Sequence, residues 1–148
     1  MDLLARREHS RQELERKLIS REFSQGTVSQ VLDALRAEGL QDDQRFVEAF
    51  VRSRVTRGKG PLKVMAELGE RGIDMNMAED ALAESGADWA SIAEAAIQKR
   101  FGGQPAIDFK DRARRLRFLA QRGFTREQSQ AAVSSARDAR AAVTDEET

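Results

Sequence analysis

The sequence contains no cysteine and no tyrosine, and only two prolines, one tryptophan and one histidine among its 148 residues. Without cysteine it forms no disulfide and offers no thiolate to a metal or to nucleophilic catalysis. With one histidine and no tyrosine, an active site would have to be built from carboxylates and lysines alone. Nothing in their spacing suggests one, so no enzymatic activity and no cofactor are expected. No apolar run approaches the roughly 18 residues needed to span a bilayer. The opening MDLLARREHS lacks the apolar core of a signal peptide. A soluble, cytoplasmic chain without membrane contact is expected. Excess charge is absent too: 25 basic and 25 acidic side chains cancel. That balance disfavours a protein that coats DNA through nonspecific electrostatics.

Hydrophobic residues make up 40% of the chain, charged residues 34% and aromatics only 5%. Such charge density with few aromatics and few β-branched residues points to helices with wide solvated faces. Three stretches fall into register: LISREFSQGTVSQVLDAL from Leu18, LGERGIDMNMAEDALAES from Leu68 and LAQRGFTREQSQAAVSSA from Leu119, at offsets of 50 and then 51 residues. Leu18, Leu68 and Leu119 correspond, as do Phe23, Ile73 and Phe124, and Leu32, Leu82 and Val133. Ser24, Asp74 and Thr125 each follow the apolar residue and can cap a new helix. Gly72 and Gly123 fall where the preceding helix ends, a place for left-handed backbone. Each pair of helices is preceded by another, over Asp2 to Glu8, Asp43 to Thr56 and Asp88 to Phe101. In the middle one, Phe46, Ala49, Phe50 and Ser53 form the inward stripe. The expected fold is all-α: nine helices in three tandem three-helix repeats, packed into an elongated, curved, solenoid-like body. The repeats are placed at 1–41, 42–86 and 87–142, followed by an acidic tail at 143–148.

The stretch RVTRGKGPLKVM, from Arg54, invites comparison with a phosphate-binding loop. It lacks the G-x-x-x-x-G-K-[ST] spacing, and no strand precedes it. Shifted by 50 residues, TRGKGPLKVMAEL overlies RREHSRQELERKL, so that Gly60 takes the place of Ser10 and Pro61 that of Arg11. Ser10 with Glu13 forms an S-x-x-E capping box, and proline favours the first helical position, so the stretch is a turn. His9, beside the Ser10 cap, reads as a helix-end residue near carbonyls rather than a base. Asp42 and Asp43 open a helix and read as caps rather than metal ligands.

The basic residues are the candidates for binding. From Val51 to Ala66 there are five basic side chains and no acid, and from Lys99 to Arg126 nine against Asp108 and Asp111. Arg45 and Arg52 lie opposite the phenylalanine stripe and face solvent. Lys59 and Lys63 continue the first basic stretch. Lys110, Arg114 and Arg117, spaced i, i+4, i+7, form one stripe on a helix whose other side presents Phe109, Ala113, Leu116 and Ala120. Asp108 and Asp111 cap that helix, which leaves the stripe without a partner on it. These seven residues are the expected partner-binding surface, suited to phosphates or to an acidic protein groove. Arg7 and Arg57, equivalent in the repeat, read as structural. Phe118 falls among arginines, so it is either covered by a neighbouring unit or an exposed anchor for a partner. Trp89 reads as packing between repeats.

LLARREHSRQELERKL followed by EGLQDDQRFVEAFVRSRVTRGKGPLKVMAELGERGI closely resembles the signatures of RecX, the bacterial regulatory protein of the recombinase RecA. The resemblance extends from about Asp2 to about Arg140 and is looser over the third repeat. It implies a non-enzymatic modulator, in DNA repair, recombination and the SOS response, that lies in the groove of the RecA filament on single-stranded DNA. Such a protein inhibits strand exchange, ATP hydrolysis and co-protease activity by blocking filament growth or promoting disassembly. A monomer is expected, with at most weak direct contact to DNA. The alternative is a protein that binds DNA directly, its three-helix units resembling helix-turn-helix modules.

Overall fold

The computed structural model describes residues 7–135. Among these there are eight helices and no strand, so the all-α expectation holds. They are α1 (Arg11–Ser20), α2 (Gln25–Ala37), α3 (Asp43–Thr56), α4 (Pro61–Glu70), α5 (Met75–Glu84), α6 (Trp89–Phe101), α7 (Phe109–Arg122) and α8, which runs over 126–135. The helix expected over Asp2 to Glu8 lies outside the described residues, apart from Arg7 and Glu8, which are not helical. The acidic tail also lies outside them.

Local chemistry sets the helix starts. At α1, Ser10 Oγ accepts from the Glu13 amide at 3.2 Å while Glu13 Oε1 accepts from the Ser10 amide at 3.1 Å, a reciprocal capping box. Ser24 and Asp74 cap α2 and α5. At α8 the box is rebuilt with other residues: Thr125 Oγ1 accepts from the Gln128 amide, and Gln128 Oε1 from the Thr125 amide. Gly60 O accepts the first bond of α4 from the Val64 amide at 3.2 Å, with Pro61 as first helical residue. The pair Asp42 and Asp43 is divided between two helices. Asp42 accepts from the Gln44 and Arg45 amides of α3, whereas Asp43 accepts from the Arg11 amide of α1 and from Gln41 Nε2.

By contact the chain divides into two compact units, Met1–Ser53 with Met65–Ser85, and Arg54–Val64 with Gly86–Thr148. In the first, α1 packs on α2 through Leu14, Val28, Leu32 and Leu35, with Leu18 against them. α3 buries Phe46, Val47, Phe50 and Val51. The inward face thus includes two valines where the helical spacing had suggested Ala49 and Ser53. In the second unit, Ala93, Ile97, Leu119, Phe124, Ala132 and Val133 form the core, and Trp89 packs against it from the start of α6.

Each unit is held by a joint of the same kind. In the first, Ser10 Oγ donates to the Arg71 carbonyl at 2.8 Å. In the second, the Gly60 amide donates to the Arg122 carbonyl at 2.8 Å and the Leu62 amide to the Gly123 carbonyl at 2.9 Å. Ser10 and Gly60 are equivalent in the repeat, as are Arg71 and Arg122. The start of one repeat's second helix therefore docks on the end of the next repeat's second helix. Gly72 and Gly123, at φ 80° and 98°, occupy these ends. At Gly123 a side chain would meet the backbone of Lys63.

The first copy departs from this pattern. Its equivalent of Gly72 is Glu22, a non-glycine residue at φ 70°, a conformation that costs roughly 1–2 kcal/mol for an L-residue. Phe23 beside it is 51% exposed, whereas its equivalents Ile73 and Phe124 are buried. Glu22→Gly is therefore expected to stabilise the chain by about 0.5–1 kcal/mol, because relieved strain exceeds the extra freedom of the unfolded chain. Urea denaturation checks this. A lower midpoint for the variant would show that Glu22 is not strained.

Candidate partner-binding site

α7 carries the candidate stripe, and its placement follows from how that helix is anchored. Asp108 Oδ1 accepts from the Asp111 amide at 2.8 Å and caps the helix. Asp111 Oδ2 accepts from the Ile107 amide at 3.1 Å, while its other oxygen takes Arg114 Nη2 at 2.9 Å. The Ile107 amide foremost, and then Arg114 and Arg115, hold the Asp111 carboxyl below its ordinary range. Arg115 is buried, donating to the Gln104 carbonyl at 2.8 Å and approaching Asp111 at 3.4 Å. It ties the loop between α6 and α7 down onto α7.

This geometry corrects the expected faces of α7. Phe109 is 90% exposed and Ala120 is exposed, while Arg115 and Leu119 are the buried residues. Of the expected apolar face, Leu116 does pack against the core with Leu119. Arg115 is buried beside them, its charge offset by the loop carbonyl and Asp111 although its Nε has no hydrogen-bond partner among the described residues. The stripe is also not free of partners on its own helix, since Arg114 pairs with Asp111. Phe118 is half-buried and meets Phe101 of α6 edge-on, with ring centroids 5.5 Å apart at 86°. The cover expected from a neighbouring unit comes instead from α6, the preceding helix of the same repeat.

Around this aromatic pair the basic residues converge. The guanidinium groups of Arg114 and Arg115 lie over the Phe101 ring at 5.1 and 5.2 Å, and that of Arg122 over Phe118 at 5.3 Å. Arg100, Phe101, Arg114, Arg117, Phe118 and Gln121 line a cleft of about 550 Å³. Arg114 and Arg117 were legible as one stripe. Arg100 was missed, since it reaches the cleft from α6, and only packing of α6 on α7 brings it there. Lys110 is exposed one turn earlier on α7.

The other candidates lie elsewhere. Arg45 is exposed but committed, with Nε donating to Glu8 Oε1 at 2.7 Å and Nη1 to the Gly39 carbonyl at 2.9 Å. Arg52 is exposed on α3; Lys59 and Lys63 are half-buried around the start of α4, where Lys63 lies against Gly123. Within the second unit, neither Lys59 nor Lys63 lines the α6–α7 cleft. Arg7 is structural as expected, binding Glu13 at 2.9 Å and the Glu8 carbonyl at 3.0 Å. At Arg57 the participant is the backbone carbonyl, which accepts from Arg122 Nη1 at 3.5 Å.

His9 is 2% exposed. Its Nδ1 stands 3.0 Å from the Arg7 carbonyl, which can only accept, so Nδ1 carries the proton and Nε2 accepts from Lys17 Nζ at 3.1 Å. Burial first, and then the charges of Arg7 and Lys17, hold its pKa below 6.5. A depressed histidine pKa means that the unfolded chain takes up the proton first. Stability is therefore full above the unfolded pKa and falls as pH drops below it toward the folded value. His9→Gln is expected to flatten the loss between about pH 7.5 and about pH 5.5, read from urea midpoints at both. An undiminished pH slope in the variant would contradict this. Among the described residues no group of histidine and carboxylate side chains could hold a metal, and no helix is long and apolar enough to cross a membrane.

Comparison with known proteins identifies the architecture. Family models described as the first, second and third three-helix domains of RecX match residues 1–35, 42–82 and 88–133. The chain is 45% identical over 134 residues to regulatory protein RecX of Halorhodospira halophila, covering 90% of this chain and 83% of that one. It is 48% identical over 134 residues to regulatory protein RecX of Chromohalobacter salexigens, covering 90% and 88%. Among solved structures, the crystal structure of RecX from Lactobacillus salivarius superposes with a TM-score of 0.70 over 91% of this chain and 90% of that one. At 23% identity, that likeness speaks for the fold alone. Three domains of one kind, in order along one chain whose relatives share nearly half its residues, have one consequence: the chain belongs to the RecX family of regulatory proteins.

Proposed function

We propose that this chain regulates RecA by binding the filament that the recombinase forms on single-stranded DNA. It inhibits strand exchange, ATP hydrolysis and co-protease activity there, either by blocking filament extension or by promoting disassembly. It acts in the cytoplasm, as a monomer and without catalysis of its own. The observation that carries this reading is the unbroken series of three RecX domains along the chain. The charge balance supports a protein-directed binder, because a neutral chain gains little from phosphates at a distance. Lys110, Arg114 and Arg117 on α7 provide the main docking surface, with Arg52, Lys59 and Lys63 as a second basic stretch; Arg45 contributes less because Glu8 already holds it.

Sedimentation of RecA filaments with this protein tests the reading. The chain is expected to pellet with filaments on single-stranded DNA and to remain in solution with the DNA alone. The basic face of α7 favours a second reading, direct DNA binding. That reading requires binding without RecA and, for about four neutralised phosphates on a single strand, a log–log salt slope near −3. Binding to filament and naked DNA with equal strength and equal salt slope would replace the first reading by the second.

A further inference from the structure

The cleft between α6 and α7 is more specialised than a basic surface. Three arginines line it, and its lining contains no acid, Gln121 being neutral. Arg100 and Arg117 are exposed and make no ion pair or hydrogen bond through their side chains among the described residues. Arg114 is half-committed: one nitrogen binds Asp111 at 2.9 Å while the guanidinium carbon lies 5.1 Å from the Phe101 ring centroid. A guanidinium held by a carboxylate on one side and by a ring beside it keeps further N–H donors, and its fork matches the two oxygens of a second carboxylate. Gln121 adds an amide donor to the same lining.

The aromatic rings indicate which acceptor fits. Single-stranded nucleic acid uses aromatic residues as platforms on which bases stack. Here Phe101 already carries the guanidinium groups of Arg114 and Arg115 over its ring, and Phe118 carries that of Arg122 and meets Phe101 in a T-shaped contact. Rings that already carry guanidinium groups make poorer platforms for stacked bases. What remains is a short concave site of arginine forks with apolar walls.

We infer that the α6–α7 cleft is a docking seat for an acidic peptide segment of a protein partner, whose aspartate or glutamate carboxylates are taken by Arg100 and Arg117 while Arg114 completes the wall. This deepens the proposed function by naming the chemistry of the docking segment, and it rests on that reading for which protein supplies it. The test below contains no recombinase, so the two fail separately.

The experiment is fluorescence anisotropy with the full chain at about 0.15 M salt. The probes are a labelled peptide alternating glutamate and alanine, its glutamine counterpart and an oligothymidylate of matched charge. The glutamate peptide is expected to bind, the glutamine peptide not to bind, and the oligothymidylate to bind more weakly than the glutamate peptide. Arg100→Gln with Arg117→Gln raises the peptide dissociation constant at least about tenfold, while Arg36→Gln on α2 leaves it unchanged. Arg100→Lys with Arg117→Lys keeps the charge but removes the forks, so it loses most of the same affinity. This lysine pair covers the case in which the glutamine pair loses helicity by circular dichroism. Tighter binding of oligothymidylate, abolished by the same pair, would make the cleft a nucleic-acid track and overturn the inference. So would absence of peptide binding, or peptide binding that neither double variant weakens.

Discussion

Gly60→Ala is expected to destabilise the chain by about 3 kcal/mol, at the upper end of what an inserted methyl costs in a packed interior. Gly60 is buried, and its amide donates to the Arg122 carbonyl at 2.8 Å. A Cβ there would lie 2.5 Å from the Gly123 carbonyl oxygen and from the Phe124 amide nitrogen. All of these are backbone atoms, fixed by the left-handed turn that ends α7, so no side chain can swing aside. Serine, which the equivalent position of the first joint carries, is expected to fare no better. Ser10 reaches the Arg71 carbonyl through its hydroxyl, whereas Gly60 brings its own backbone to the corresponding carbonyl. Gly26→Ala on α2, where a Cβ meets nothing within 4 Å, serves as the control and is expected to be neutral or slightly stabilising. Chemical denaturation of the three variants checks the ordering. A loss at Gly60→Ala no greater than at Gly26→Ala would mean that the second joint is looser than described.

Glu13→Ala is expected to cost about 2 kcal/mol, the scale of a charge-assisted hydrogen bond lost together with a desolvated partner. The Glu13 carboxylate accepts from the Ser10 amide, pairs with Arg7 at 2.9 Å and lies 3.7 Å from Arg71 Nε. The Arg71 guanidinium in turn covers the Phe50 ring at 4.8 Å. Glu13 thus joins the start of α1 to the end of α4 in the first unit. Burial alone would raise its pKa, but the Arg7 hydrogen bond, the Ser10 amide and the charges of Arg7 and Arg71 outweigh it and hold the carboxyl below its ordinary value of 4.5. A depressed carboxylate pKa places the associated stability above the unfolded value. That stability is lost as pH falls from about 4.5 through the folded value. Glu13→Ala should therefore lose less stability than the parent on going from about pH 5 to about pH 3. Equal acid sensitivity of the two proteins would remove Glu13 from this account.

What could be read in the sequence was what short range decides. Ser10, Ser24, Asp74 and Thr125 announce helix starts because a cap and its donors are three residues apart or fewer. Gly72 and Gly123 announce helix ends because left-handed backbone favours glycine. Gly60 was placed correctly as a cap through the repeat, but its close approach to Gly123 needed the fold. Glu22 was missed for the converse reason: the repeat preserves the left-handed turn while the residue no longer advertises it. Helical spacing misassigned α7, predicting Phe109 inward, because a buried charge does not register as a core residue. Arg115 is buried through the carbonyl of Gln104, on an irregular loop that no periodicity describes. Arg100 and Phe101 join Arg114, Arg117 and Phe118 only through packing of α6 against α7, so the cleft was half visible as a stripe.

DNA-dependent ATP hydrolysis by RecA on single-stranded DNA, with this protein titrated in, would show regulation at the filament. DNA binding by this protein alone is measured in parallel at the same salt. Inhibition is expected at substoichiometric amounts of this protein, where too little is present to cover the DNA. Unchanged hydrolysis at equimolar protein, or inhibition that follows DNA coverage alone, would contradict it.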